Sequence, residues 1–312
     1  MDGEVPLAYL VERTVRRHGL LRARQWVLNE TGDPMFDRIA LEYNGVNGDT
    51  VNPTLAGAAF GWLMQQDAHA DEIIVRNATA ATAAALREAA AANKWRVRRT
   101  NLSPAAAVDL DALRLAGGDL LATTGKNTRA AIRRAIRLYE ESGPIRVDRA
   151  GSVEEAFAWF DRMKALHISS WQGRAAMHAF SNSHFEPFHH ALIRGSFDAG
   201  RVDMLRIRAG DREVGYLYNF VGDGWVVAYQ SGLTPAPDNR WKPGLVSHCS
   251  AIAYCLARGD RRYDFLAGPA RYKTSLANSS IPMESLVAFA PRWHLTLEDA
   301  LRRWRAGWRE RP

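Results

Sequence analysis

Cysteine is scarce in this chain of 312 residues, which contains only Cys249 and Cys255. Two cysteines cannot build a disulfide-stabilised scaffold. Both fall in one predicted helix, six positions apart, so their side chains point in different directions. We interpret them as core thiols of a protein from a reducing compartment.

Long hydrophobic runs are also missing. The longest apolar stretch, residues 56–64, is far shorter than the ~18 residues that a membrane-spanning helix needs. The N-terminus, Met1 to Pro6, has no basic segment followed by an apolar core, as a secretory signal would. We therefore expect a cytoplasmic protein without a membrane span.

Several common catalytic motifs are absent as well. The Gly125-Lys126-Asn127 run fails the phosphate-loop pattern, because residue 120 is leucine and residue 127 is neither serine nor threonine. The run Tyr229 to Gly232 lacks the leading glycine of a nucleophile elbow. No dinucleotide fingerprint follows a strand, and the clustered histidines 184, 189 and 190 lack the spacing of metal ligands. We predict no metal site.

The composition is that of a globular protein with a basic bias. Hydrophobic residues make up 47% of the chain, enough for a sizeable core, and the length suggests two domains at about 150 residues each. There are 41 lysines and arginines against 34 acidic residues, a net charge of +7. This balance favours an anionic partner without selecting one.

Alternating strands and helices predict an α/β fold (α+β) in two halves. The expected division is 1–122 for the first half, 123–143 for a linking basic helix and 144–312 for the second half. The elements expected in the first half are a helix over Leu7–Arg17, strands over 25–28, 38–43, 72–75 and 95–99, and helices over 55–66 and 78–92.

The second half has a more informative order. Two helices precede a meander of three strands over 203–208, 213–221 and 225–231, and a helix over 245–258 leads to strands over 262–266 and 284–289. A meander followed by a crossover helix predicts a mixed sheet with two parallel neighbours. Such neighbours can splay apart where their pairing ends, and a helix N-terminus then points at the gap.

Two segments carry candidate site chemistry. The loop ending in Lys242-Pro243-Gly244, with Arg240 nearby, precedes a helix N-terminus and suits a diphosphate; the alternative is an ordinary loop before a helix. Asp264 lies in an apolar strand, followed within nine residues by Arg271, Tyr272 and Lys273. The alternative is a buried aspartate with a structural partner.

Aromatic and basic residues supply further candidates. Tyr216, Tyr218 and Tyr229 lie on adjacent strands, and His167 and Trp171 are one helical turn apart, so these side chains either pack in the core or flank a pocket. In the linking helix, Arg129, Arg133 and Arg137 repeat every four residues, as a solvated stripe or as a contact for a polyanion.

These motifs together resemble one known family. They are, in chain order, Thr124 to Arg134, Leu166-His167 to Trp171, Tyr216 to Phe220, Tyr229 to Gly232, Lys242-Pro243-Gly244 and Tyr263 to Gly268 with Arg271-Tyr272-Lys273. Their joint order is similar to the CelD-type acyltransferases, which are associated with cellulose biosynthesis and belong to the GNAT superfamily. These enzymes resemble the FemAB peptidyltransferases in having two GNAT-like halves.

The resemblance implies two mixed sheets flanked by helices, with a first half that lacks its opening strand and two helices. It implies acyl-CoA, typically acetyl-CoA, as co-substrate, with the pantetheine arm between the strands Trp225–Ser231 and Tyr263–Leu266. The catalytic candidates are Asp264, which orients or deprotonates the acceptor, Tyr272, which protonates the leaving thiolate, and Lys273. The cofactor candidates are Gln230, Ser231, Gly232, Arg240, Lys242, Pro243, Gly244, Leu266, Gly268 and Arg271; the substrate candidates are His167, Trp171, Tyr216, Tyr218 and Tyr229.

Three functions follow as hypotheses. The first is acyl transfer from acyl-CoA to an amine or hydroxyl of a saccharide or envelope precursor. The second is FemAB-like aminoacyl transfer from charged tRNA, motivated by the arginine stripe and by the basic tail from Arg302 to Arg309. The third is an inactive binding module with a GNAT fold, motivated by the missing glycine-rich diphosphate loop.

Overall fold

The structure, a computed structural model, divides into two compact units. Unit 1 comprises Met1–Ser103 and Pro282–Pro312, and unit 2 comprises Pro104–Ile281. The structure describes residues 8–17, 21–37, 42–47, 54–66, 70–173, 178–268, 270–292 and 295. Among these, no helix combines the length and the apolar character needed to cross a bilayer.

Unit 1 is built on a five-stranded mixed sheet. Its strands are β1 Leu10–Arg17, β2 Leu21–Leu28, β3 Glu72–Ala78, β4 Arg96–Leu102 and β12 Glu284–Phe289, in the order β1-β2-β3-β12-β4. Its helices are α1 Pro34–Asp37, α2 Thr54–Gln65 and α3 Ala80–Ala92. The alanine-rich α3 begins at Thr79, whose side chain accepts a hydrogen bond from the Thr82 backbone N–H.

Unit 2 is built on a seven-stranded mixed sheet in the order β11-β5-β10-β9-β8-β7-β6. Its strands are β5 Ala105–Asp109, β6 Ile145–Arg149, β7 Val202–Ala209, β8 Arg212–Gly222, β9 Trp225–Leu233, β10 Arg262–Ala267 and β11 Ser279–Ile281. Its helices are α4 Leu110–Leu115, α5 Leu120–Thr123, α6 Lys126–Glu140, α7 Val153–Trp171, α8 Phe185–Ser196, α9 Pro243–Arg258 and α10 Arg271–Leu276.

The two mixed sheets with flanking helices confirm the predicted fold class, and the helices and strands from β6 to β10 follow the predicted order. The meander is β7-β8-β9, and α9 crosses over to β10, which runs parallel to β9. Ser152 is the N-cap of α7, because its hydroxyl accepts a hydrogen bond from the Glu155 backbone N–H at 3.2 Å. Cys249 and Cys255 are buried in α9, as expected of core thiols.

Unit 1 departs from the sequence predictions. The helix predicted over Leu7–Arg17 is wrong, since Leu10–Arg17 is a strand that pairs antiparallel with β2 along its whole length. Every second side chain of β1, including Val11 and Val15, is half-buried, which is a period of two rather than a helical one. The strand predicted over 38–43 lies largely outside the described residues.

The last strand belongs to a different sheet from the one that the sequence predicts. β12 pairs with β3 and β4 of unit 1, not with the second half. In addition, β5 and β11 complete the sheet of unit 2, although the expected division places residues 104–122 in the first half. The observed division therefore differs from the expected boundaries 1–122, 123–143 and 144–312, because strand pairing connects segments that are distant in sequence.

Candidate functional site

The parallel strands β9 and β10 separate within unit 2. Their register comprises three residue pairs and ends at Asp264 opposite Val227. Beyond that point β9 continues to Leu233 and β10 to Ala267. The two strands therefore share one paired end and diverge from it, as the topology predicts.

A β-bulge in each strand accompanies the divergence. In β9 the extra residue is Tyr229. Its two neighbours, Gln230 and Ala228, pair with the consecutive β8 residues Tyr218 and Asn219. In β10, the register against β5 shifts between Asp264 and Ala267. The bulged Leu266 has a φ of 62°, a left-handed conformation that is unfavourable for a leucine.

A cavity of about 580 Å³ lies beside the diverging part of β9, at the N-terminus of α9. Its lining residues are Ser231, Leu233, Ala236, Asp238, Asn239, Lys242, Pro243, Gly244, Leu245, His248 and Tyr272. The volume is within the range of small-molecule sites. Lys242 contributes positive charge, and the first N–H groups of α9 have no partner within the helix, so this end of the cavity suits an anion.

The segment that builds this cavity matches a known family. Residues 126–274 match the family profile described as "Acetyltransferase (GNAT) domain". The matched segment contains the meander, the crossover helix and the diverging strand pair.

The fold is similar to several solved structures of low sequence identity. The C-terminal domain of a putative lysylphosphatidylglycerol synthetase from Agrobacterium fabrum has a TM-score of 0.54 and 13% identity, covering 95% of this chain and 85% of that chain. FemX has a TM-score of 0.55 and 10% identity, covering 92% and 89%. L-PGS from Bacillus licheniformis has a TM-score of 0.50 and 12% identity, covering 93% and 87%. At such identities the similarity establishes the fold alone, and no curated protein matches the chain.

The three predicted catalytic residues occupy different places in unit 2. Tyr272, on α10, lines the cavity, and burial raises the pKa of its hydroxyl, so it holds its proton at neutral pH. Asp264 is fully buried and does not line the cavity. Its Oδ2 accepts the Trp225 indole N–H at 3.1 Å, and its Oδ1 accepts the Leu266 N–H at 2.6 Å.

Lys273 contacts the bulge at the end of β10. Its ammonium donates to the carbonyl of Ala267 at 2.6 Å and to that of Leu266 at 3.3 Å. Asp264 and Lys273 thus bind the backbone groups of the strained turn that ends β10. Asp264 and Lys273 are not among the lining residues of the cavity, and their catalytic roles stay a prediction.

The predicted cofactor residues divide into two groups. Ser231, Lys242, Pro243 and Gly244 line the cavity, whereas Gln230, Gly232, Arg240, Leu266, Gly268 and Arg271 are not among its lining residues. Arg240 instead pairs with Asp238 at 2.7 Å, and this guanidinium lowers the pKa of that carboxyl to about 2.

Gln230 accepts a backbone hydrogen bond within β9, and Gly232 allows β9 to approach α7 closely. The Ser231 N–H donates to Gln230 Oε1 at 3.0 Å, so that amide would have to turn away before the N–H could polarise a thioester carbonyl. A Cβ on Gly232 would lie 2.2 Å from the Met163 carbonyl oxygen, which shows that β9 and α7 are in close contact there.

The three tyrosines among the predicted substrate residues lie on the face of β8 and β9 that packs against α7 and α8. Tyr218 and Tyr229 form hydrogen bonds with the two nitrogens of His189, at 3.2 and 3.1 Å. Tyr216 binds Glu213 at 2.8 Å, and its ring lies 6.0 Å from that of Trp159. Tyr216 and Tyr218 are therefore core residues, which is the alternative that the sequence leaves open.

His167 and Trp171 contact each other near the cavity wall. Their ring centroids are 5.9 Å apart, and His167 Nδ1 lies 3.2 Å from the Ser231 carbonyl oxygen. Ser231 also lines the cavity, so it is the residue through which His167 adjoins the cavity.

His248 is the cavity residue that sequence reasoning missed. It lies in the second turn of α9, its ring stacks on Tyr272 at 5.0 Å, and Nδ1 lies 2.9 Å from the Tyr263 hydroxyl. Burial, and then the charge of Lys273, lower the pKa of His248 to about 3, so the ring is neutral. His248 is four residues after Gly244, so both lie on the same side of α9. This spacing is the sequence feature that could have predicted His248 as a cavity residue.

One side-chain group brings together potential metal ligands. Atoms of Asp161, Glu186 and His190 lie within 4.8 Å of one another. The Lys164 ammonium already contacts both Glu186 carboxylate oxygens at 2.6 Å, so a cation would compete with it. We assign no metal to this group.

Proposed function

We propose that this chain transfers an acyl group, typically acetyl, from acyl-CoA to an amine or hydroxyl of a saccharide or cell-envelope precursor. The observation that carries the proposal is the cavity between the diverging β9 and the start of α9. The family match over residues 126–274 supports acyl transfer, and the motif resemblance to CelD-type enzymes supports a saccharide acceptor.

In this proposal, the CoA diphosphate binds at Lys242, Pro243 and Gly244, and the pantetheine arm runs along β9 toward Ser231. A protonated Tyr272 donates to the leaving thiolate. Transfer takes place directly in a ternary complex, where holding donor and acceptor together can lower the barrier by about 7–11 kcal/mol.

Filling the cavity at Gly244 tests the donor site. A Cβ at Gly244 would lie 3.2 Å from Leu233 Cδ1, so the branches of a valine must occupy space that the CoA arm requires. We expect Gly244→Val to weaken acetyl-CoA binding by about tenfold or more, measured by isothermal titration calorimetry, because each 1.4 kcal/mol of lost contact is tenfold.

The matched control is Gly195→Ala in α8, where an added Cβ meets nothing within 4 Å. This variant should bind acetyl-CoA as the wild type does. Wild-type protein that binds neither CoA nor acetyl-CoA would contradict the proposed function.

The basic helix favours a second candidate, aminoacyl transfer from charged tRNA. Arg133, Arg134 and Arg137 are exposed on α6, and the described residues offer them no ion pair. The structural similarity to FemX and to a lysylphosphatidylglycerol synthetase domain supports the same candidate at the level of fold.

The tRNA candidate requires binding whose affinity falls steeply as salt rises, because arginines that neutralise phosphates release counterions. If a gel shift shows that the protein retains tRNA and that Arg133→Gln weakens this retention, aminoacyl transfer from tRNA is favoured over acyl transfer from acyl-CoA. An inactive binding module, the third candidate, would hold a glycan or a partner protein and would release no thiol from acetyl-CoA.

A further inference from the structure

His167 has a fixed tautomer. Its Nδ1 lies 3.2 Å from the Ser231 carbonyl oxygen, and a carbonyl oxygen can only accept a hydrogen bond. Nδ1 must therefore carry the proton, and in the neutral ring Nε2 presents a lone pair.

This lone pair is buried, and it has no partner in the part of the chain that the structure describes. The His167 side chain is 8% exposed, and no described residue donates a hydrogen bond to Nε2. Leaving a buried acceptor unsatisfied is unfavourable, so a hydrogen-bond donor from a bound molecule would stabilise this group.

The surroundings of His167 keep the ring neutral. Phe180 and His178 have ring centroids 5.3 and 5.6 Å away, and Trp171 completes the aromatic wall. Burial is the largest cause that lowers the pKa of His167 below its usual 6.5. The Ser231 carbonyl acts in the opposite direction, and His178 is the titratable neighbour among the described residues, its charge lowering the pKa further.

The Nε2 lone pair of His167 lies near the cavity in which the acyl donor would bind. Ser231 contacts His167 through its carbonyl oxygen and also lines the acyl-donor cavity. The pairing of β9 with β10 ends at Val227, before Ser231, so parallel-strand pairing does not close this part of β9. A nucleophile held at Nε2 would therefore approach the thioester from the α7 side.

We propose that His167 Nε2 is the proton acceptor for the nucleophile, so that the aromatic cluster around it holds the amine or hydroxyl group of the acceptor. This inference rests on the proposed acyltransferase function. The acceptor atom attacks the thioester carbonyl carbon and forms the new bond while its proton passes to Nε2. The carbon–sulfur bond breaks, Tyr272 protonates the thiolate and regains a proton from solvent, and His167 returns its proton to solvent.

The decisive variant is His167→Asn. Its amide N–H can replace Nδ1 as donor to the Ser231 carbonyl, but it has no basic nitrogen. Acetyl-CoA is supplied with glucosamine, ethanolamine or glycerol as acceptor, and thiol release is measured. The pH profile is recorded with glycerol, because protonation of an amine acceptor would give an acidic limb of its own. We expect kcat to fall by about 10²–10⁴-fold, the KM for acetyl-CoA to be unchanged, and the acidic limb of the wild-type profile with glycerol to disappear.

The wild-type rate should fall as pH drops through the lowered pKa of His167, because protonation removes the lone pair. The control His184→Asn alters an exposed histidine and should leave rate and profile unchanged. ¹⁵N NMR of histidine-labelled protein should show a protonated Nδ1 and a bare Nε2 at His167.

An Nε2–H tautomer would overturn the assignment, as would a His167→Asn variant that keeps both the rate and the acidic limb. Wild-type protein that binds acetyl-CoA but releases no thiol with any acceptor would also overturn it while leaving the donor site intact. Failure to bind acetyl-CoA would instead remove the proposed function itself.

Discussion

Replacing Gly232 with alanine is expected to destabilise unit 2 by about 3 kcal/mol or more, because overpacked sites that cannot relax lie at the upper end of such costs. The added Cβ would lie 2.2 Å from the carbonyl oxygen of Met163 and 2.8 Å from its Cα. Both are backbone atoms of α7, so no side-chain rotation relieves the clash. Chemical denaturation followed by circular dichroism measures the loss.

Gly222→Ala provides the matched control. Gly222 lies at the end of β8 in the same sheet, and a Cβ there meets nothing within 4 Å. This variant should unfold within about 0.5 kcal/mol of the wild type, as exposed substitutions usually do. A Gly232→Ala protein as stable as Gly222→Ala would show that β9 and α7 are not in the contact described above.

Asp264→Asn is expected to lower the free energy of unfolding by about 2–4 kcal/mol, since it breaks charged hydrogen bonds in a fully buried site. An asparagine keeps one acceptor oxygen but turns its NH₂ group toward the Trp225 N–H or the Leu266 N–H. The strained conformation of Leu266 then loses support. Acetyl-CoA binding should weaken in parallel, because the end of β10 moves; denaturant titration and calorimetry measure the two effects.

Asp198→Asn is the control, since Asp198 is exposed at the end of α8. If Asp264→Asn were as stable as that control and lost only turnover, Asp264 would act in catalysis, and the structural role assigned to it would be wrong.

The topology of unit 2 was predictable because its signals are local. Turn residues between Asp203 and Ser231 define the meander, and the proline and glycine around α9 define the crossover helix. Those two features require a parallel neighbour for β9. The divergence of β9 and β10 follows from that topology, and so do the cavity residues Ser231, Lys242 and Gly244.

The missed features depend on contacts between distant parts of the chain. β12 pairs with β3 and β4 across about two hundred residues, and nothing in its sequence selects one sheet over the other. The position of Asp264 in an apolar strand predicts that its carboxylate has a specific partner. Only the folded structure shows that this partner is the N–H of Leu266, which has a left-handed conformation. The tautomer of His167 depends on the Ser231 carbonyl, which is 64 residues away.

Hydrogen–deuterium exchange of the full chain with and without acetyl-CoA tests whether acyl-CoA binds beside β9, because amide protection reports where a ligand stabilises the backbone. We expect slower exchange over residues 229–233 of β9 and 242–248 at the start of α9. Unchanged exchange in both segments, or protection confined to the β3 and β4 strands of unit 1, would contradict an acyl-CoA arm bound beside the diverging strands.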